Sequence, residues 1–275
     1  MYFRRIGIIK VLLVGFLPSI NAIIWMHIFS KGWVAMYSMH TICMIIIPTI
    51  LYGSYFKSRI SDFFSEIRTN ISLLKLLCIT LLISVLGLLA ASFLKLFLNF
   101  QFLKEIVTTA KNGLIYQGII EFDKRKANLY TITSFVYFCT VNPVMEELFW
   151  RFFIANELTC GSNGHERMSY EQGEQKHCCN PGDFMDLSEI ENGIVYQNIE
   201  NKEYKRIISS LLYSLYHYFV VSSITTNTLA LLGTISLVFI GRFLIYVYER
   251  HSIIYSIYIH IGLDIVVVIY LLILV

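Results

Sequence analysis

Two adjacent glutamates and an arginine lie inside a stretch, about Leu129 to Ala155, that is otherwise apolar enough to cross a bilayer. Its centre reads Pro143-Val144-Met145-Glu146-Glu147-Leu148-Phe149-Trp150-Arg151. An acid at mid-membrane costs on the order of 3 kcal/mol on insertion scales, so a neighbouring pair calls for an explanation. On a helix Glu147 and Arg151 are four residues apart and share a face, which allows an ion pair in the favourable acid-first order. Glu146 points about 100° away and has no partner nearby in sequence. One neutralised carboxylate beside one free carboxylate suits general-base chemistry. The alternative is a buried ion cluster that only locks helices together.

Composition places the whole chain in the membrane. Of 275 residues, 56% are hydrophobic and 15% charged, with a mean hydropathy of +0.62. Several apolar runs exceed the ~18 residues that mark a spanning helix. The net charge of +3 is small and spread over loops, which argues against a nucleic-acid partner. Arg4-Arg5 precede an apolar run too long for a signal peptide, and no small-x-small site follows, so the run reads as a retained span. The C-terminal Ile273-Leu274-Val275 carries no cysteine box for prenylation.

Seven spans are expected, at about Ile6–Ile28, Trp33–Gly53, Ile71–Leu98, Leu129–Ala155, Arg206–Ile224, Thr228–Tyr248 and Ser252–Leu274. Residues 99–128, with the basic run Lys124-Arg125-Lys126, read as an interfacial amphipathic helix, with an eighth span as the alternative. Asn142 before Pro143 resembles a helix cap and first helical position, so the fourth span is expected to break there. Residues 156–205 form the long hydrophilic insert and read as a mobile loop. Domain organisation follows: N-terminal spans and connection over 1–128, then a core over 129–275 carrying the insert. Lys and Arg counts assign the insert side to the cytosol.

Two more spans carry ionisable groups at their middles, Tyr213 to His217 and His260 to Asp264. Counted from the insert side, Glu146, His217 and His260 lie about nine, ten and eight residues in, or about 12–15 Å deep at 1.5 Å per residue. Asp264 lies about one turn deeper. Independent polar intrusions have no reason to share one layer unless they meet. His40 reads as an isolated histidine satisfied by a neighbouring backbone or hydroxyl group. In the insert, Cys160, His165, His177, Cys178 and Cys179 offer a rival zinc set, but their spacing matches no standard site.

These residues resemble the type II CAAX prenyl endopeptidases and their prokaryotic relatives in the CAAX-protease and bacteriocin-processing (CPBP, Abi) family. The family motifs are Glu-Glu-x-x-x-Arg, an aromatic-x-x-x-His, and a His-x-x-x-Asn or Asp in the last helix. Here they are Glu146-Glu147 to Arg151, Tyr213 to His217, and His260 to Asp264; the run from Gly241 through Arg250 to Ser252 resembles the family's helix and turn before its final histidine. The similarity runs from about Asn128 to the C-terminus, interrupted by an insert the family lacks at this length.

The resemblance implies an all-α, polytopic fold and a membrane-embedded endopeptidase, in the endoplasmic reticulum membrane of a eukaryote or the cell membrane of a prokaryote. That enzyme is either one that removes the last three residues of a prenylated CAAX protein or, since the third motif is prokaryotic in style, a related protease acting on peptides or membrane proteins. It implies that Glu146 and His217 activate a water, that His260 with Asp264 stabilises the oxyanion, and that Glu147 and Arg151 orient the site. Asp264 stands where eukaryotic members have asparagine; an ionised aspartate would repel an oxyanion, so it has to be protonated, paired with His260, or otherwise employed. No cofactor is expected. The alternative is a divalent metal such as zinc on Glu146, His217, His260 and Asp264. Functional alternatives are a non-catalytic immunity or scaffold protein of the same fold, and an ion-coupled transporter, for which no internal repeat speaks.

Overall fold

A computed structural model gives the fold and describes residues 2–53, 60–61, 63–64, 73–97, 100–123, 126–127, 129–160 and 194–273. Among the described residues it is helical apart from turns and one pair of two-residue strands, β1 (Phe122–Asp123) against β2 (Lys126–Ala127), antiparallel with Phe122 opposite Ala127. The helices are α1 (Tyr2–Ala22), α2 (Gly32–Ser38), α3 (Leu73–Phe97), α4 (Phe100–Tyr116), α5 (Leu129–Glu147), α6 (Ile194–Ser222), α7 (Asn227–Arg250) and α8 (Ile253–Ile273). Wider π-helical turns extend α1 over Ile23–Ile28, α2 over Met39–Ile46 and α5 over Leu148–Ala155.

Among the described residues, five helices are long and apolar enough to cross a membrane: Ile8–Ile28, Gly32–Gly53, Leu74–Phe93, Asn227–Arg250 and Ile253–Leu271. The protein is therefore an integral membrane protein. α5 and α6, expected as the fourth and fifth spans, are helical but fall outside this set. Side chains such as Leu81, Leu74 and Phe239 are 66%, 71% and 72% exposed, as lipid-facing groups are.

Helix contacts fix the direction of each element. Thr80 donates to the Tyr258 carbonyl (3.1 Å) and Ser84 to that of Gly262 (3.3 Å), so α3 runs parallel to α8. At one end of the bundle, His27 Nε2 is 2.8 Å from the Phe219 carbonyl and Gln117 Nε2 donates to that of Met26 (3.1 Å). The C-termini of α1, α4 and α6 therefore meet there. α4 comes after α3 in the sequence, and its last turn lies at that same end. Gly113 is required at that crossing, because a Cβ would stand 2.2 Å from the Ile224 carbonyl oxygen.

Two expectations are corrected. Pro143 lies inside α5 without a break; it removes one ladder hydrogen bond, and the helix instead widens from Leu148 onward. The insert is shorter than a loop over 156–205, since a helical turn continues α5 over Asn156–Cys160 and α6 begins at Ile194. His165, His177, Cys178 and Cys179 of the rival zinc set lie outside the described residues. At the start of α6, Glu203 pairs with Arg206 and with Arg242 of α7, and Arg206 pairs with Glu249, so charges clamp the α6–α7 hairpin.

Candidate active site

Glu146 and Glu147 are both fully buried in α5, and their surroundings differ because they leave the helix about 100° apart. Glu147 is saturated. Its Oε1 lies 3.3 Å from Arg151 Nη1 and 2.8 Å from His260 Nδ1, and its Oε2 accepts from the Ser256 hydroxyl. Arg151 also lays its guanidinium over the Tyr213 ring, 4.0 Å from the centroid, a favourable place for a desolvated cation. The ion pair that the four-residue spacing called for is present, and two partners from α8 complete it.

Glu146 is divided. Its Oε1 accepts a hydrogen bond from the Tyr216 hydroxyl. Its Oε2 is buried without a hydrogen-bond partner and lies 3.6 Å from His217 Nε2 and 3.9 Å from His260 Nε2. Three residues spread over 115 positions of sequence thus converge on one gap, from α5, α6 and α8.

The far side of each imidazole identifies its proton. His217 Nδ1 is 2.9 Å from the Tyr213 carbonyl oxygen, which only accepts, so Nδ1 carries hydrogen and neutral His217 presents a lone pair at Nε2. His260 Nδ1 faces the Glu147 carboxylate at 2.8 Å and carries hydrogen for the same reason, while its Nε2 faces the carboxylates of Glu146 and Asp264, so that a doubly protonated His260 is a donor on both sides. The lone pair of His217 and the Glu146 carboxylate oxygen face each other across 3.6 Å, with His260 Nε2 at 3.9 Å from the same oxygen, all too far apart for direct bonds. A small donor between these two acceptors satisfies both, and water, which can also accept from His260, is the simplest one.

Asp264 stands one turn beyond His260, with Oδ1 3.8 Å from His260 Nε2 and Oδ2 buried without a hydrogen-bond partner. Of the three roles left open for it, the geometry corresponds to pairing with His260. Metal ligation was the alternative use of this set. Two imidazoles and carboxylates have suitable donor chemistry for an ion, and Glu146, His217, His260 and Asp264 are the residues that would hold it.

His40 is buried, with Nδ1 2.6 Å from the Tyr137 hydroxyl, the kind of partner expected for it. Tyr216 and Ser256 escaped the sequence reading. Both are ordinary packing residues in an apolar helix until a tertiary contact shows what their hydroxyls meet. Tyr216 did carry one signal, being adjacent to His217 and so at the same depth.

Close approach of α7 makes this geometry possible. A Cβ on Gly241 would stand 3.0 Å from Tyr213 Cδ1, so glycine there lets α7 press Tyr213 against Arg151 and His217. The turn at His251 and Ser252 then sends α8 back with His260 facing α5.

Comparison with known proteins returned no match among curated proteins and none among solved structures. A family model described as Type II CAAX prenyl endopeptidase Rce1-like matches residues 128–266, which is half of the chain and contains every residue of the site just described. The chain belongs to the type II CAAX prenyl endopeptidase Rce1-like family, a family of membrane proteases.

Proposed function

We propose that this protein is an intramembrane endopeptidase that hydrolyses a peptide bond with water activated by Glu146 and His217, acting on the C-terminal tripeptide of prenylated CAAX proteins. The observation that carries this reading is Oε2 of Glu146, buried without a hydrogen-bond partner and aimed at two imidazole nitrogens from other helices. Family membership supports the substrate class.

Water held between Glu146 Oε2 and His217 Nε2 gives a proton to the carboxylate as its oxygen attacks the peptide carbonyl. The carbonyl electron pair moves onto oxygen, and doubly protonated His260 donates to that oxyanion from Nε2. Its charge is balanced through Nδ1 by Glu147 and from the side by Asp264. Collapse of the tetrahedral intermediate breaks the C–N bond, and the proton taken by Glu146 passes to the leaving amine. Glu147 and Arg151 keep His260 oriented throughout. In this reading α5 and α6 also cross the bilayer, making seven spans, and the reaction needs no metal.

Cleavage of a farnesylated reporter peptide by the reconstituted protein tests the proposal. Glu146→Ala, His217→Ala and His260→Ala should each lower kcat about 10²–10⁴-fold, the usual range for a lost acid–base group, while the variants elute from size exclusion as the wild type does. Equal cleavage by the Glu146→Ala protein would refute the assignment. Cleavage should also survive exhaustive chelation with metal content verified by elemental analysis; loss restored by zinc would overturn the metal-free mechanism alone.

A further inference from the structure

Glu146 has two chemically equivalent oxygens, and the site uses them differently. The terminal torsion of a glutamate is broad and roughly two-fold, so a carboxylate in an apolar cavity has no intrinsic reason to prefer one orientation. Something has to hold it, and the Tyr216 hydroxyl is the group in contact. It donates to Oε1 and leaves Oε2 facing His217 and His260.

Tyr216 is itself held on several sides. It is 3% exposed, and its ring stacks on that of Trp150 with centroids 5.9 Å apart and planes 10° from parallel. The His217 ring lies against it at 4.1 Å and the Tyr213 ring at 6.4 Å. Trp150 comes from α5, one turn beyond Glu146, so the helix that supplies the acid also supplies the surface that aims the hydroxyl at it. Tyr216 and His217 are consecutive on α6 and diverge by about 100°, yet both reach the same carboxylate. They do so by taking one oxygen each.

We infer that Tyr216 is a positioning residue for the hydrolysis proposed above: by occupying Oε1 of Glu146 it assigns Oε2 as the oxygen that holds and deprotonates the attacking water. The inference rests on that functional reading, but its physical content, a donor fixed on one carboxylate oxygen, is measurable without catalysis.

Tyr216→Phe keeps the stacked ring and deletes only the donor. We expect kcat on the farnesylated reporter to fall about 10-fold or more with KM within about twofold, and thermal unfolding in detergent to stay cooperative. The second readout is the infrared carboxylate band of Glu146 in 13C-glutamate-labelled protein, isolated by subtracting the spectrum of Glu146→Gln. Loss of the Tyr216 hydrogen bond should shift that band. An unshifted band means that Tyr216 does not hold Glu146, and a shifted band with unchanged kcat means that the contact has no part in positioning; either result overturns the inference. Full cleavage by Glu146→Ala would instead remove the hydrolytic reading while leaving the spectral result standing.

Discussion

Adjacent glutamates with opposite fates are the central fact at the scale of single residues. Glu147 is committed on both oxygens to Arg151, His260 and Ser256, whereas Glu146 keeps one oxygen without a hydrogen-bond partner. Breaking a buried pair from one side strands a charge, typically at about 3–5 kcal/mol. Arg151→Met should therefore lower stability by an amount of that order, read as a fall in the melting temperature of the detergent-solubilised protein. Ser256→Ala removes a single donor while Arg151 and His260 remain, and should cost about 1–3 kcal/mol. A larger effect from Ser256→Ala than from Arg151→Met would contradict this ranking. The Glu147–Arg151 pair was legible in sequence because it is local to one helix. The meeting of Glu146, His217 and His260 was legible through their matched depth. Tyr216 and Ser256 were not, because only the relative rotation of α5, α6 and α8 decides which hydroxyl faces which carboxylate.

Among the elements, α5 departs furthest from what its residues suggest. Proline marked a break in the sequence reading, yet the backbone passes Pro143 as helix and expands over Leu148–Ala155. No residue pattern announces a π-helical register, since it differs from an α-helix by a fraction of a turn and is stabilised by packing; such turns recur at functional sites. The α6–α7 hairpin shows the converse, a contact made by charge. Burial would raise the Glu203 carboxyl, but Arg206 and Arg242 outweigh it and hold Glu203 below its ordinary range. A depressed folded-state value means that the stabilisation is present above the unfolded-state value of about 4.3 and is lost as pH falls through the folded one. Arg242→Ala should thus destabilise the protein at pH 7 by about 0.2–1 kcal/mol, as exposed pairs do, and the difference from wild type should shrink steadily in acid. A difference that stays constant down to pH 3 would show that Arg242 acts through packing alone.

For the molecule as a whole, the two ends of the bundle differ in kind. One end gathers aromatic rings, with Trp33 stacked on Tyr37 at 5.1 Å and tilted against Tyr130 at 5.6 Å, as membrane interfaces do. The other holds the Glu203, Arg206, Arg242 and Glu249 clamp. Single cysteines introduced into a cysteine-free background at Lys31 and Lys111 should react with an impermeant maleimide from the same side of sealed vesicles, and one at Arg250 from the opposite side. Labelling of Lys31 and Lys111 from different sides would mean that α4 crosses the membrane after all. Glu146, at the centre, has no exposed surface. For the hydrolysis proposed above, that makes water the scarce reagent: each turnover would use up one molecule, and the next would have to travel inward from the surface. Rehydration of the site would then join peptide entry and bond scission as a step able to limit the rate.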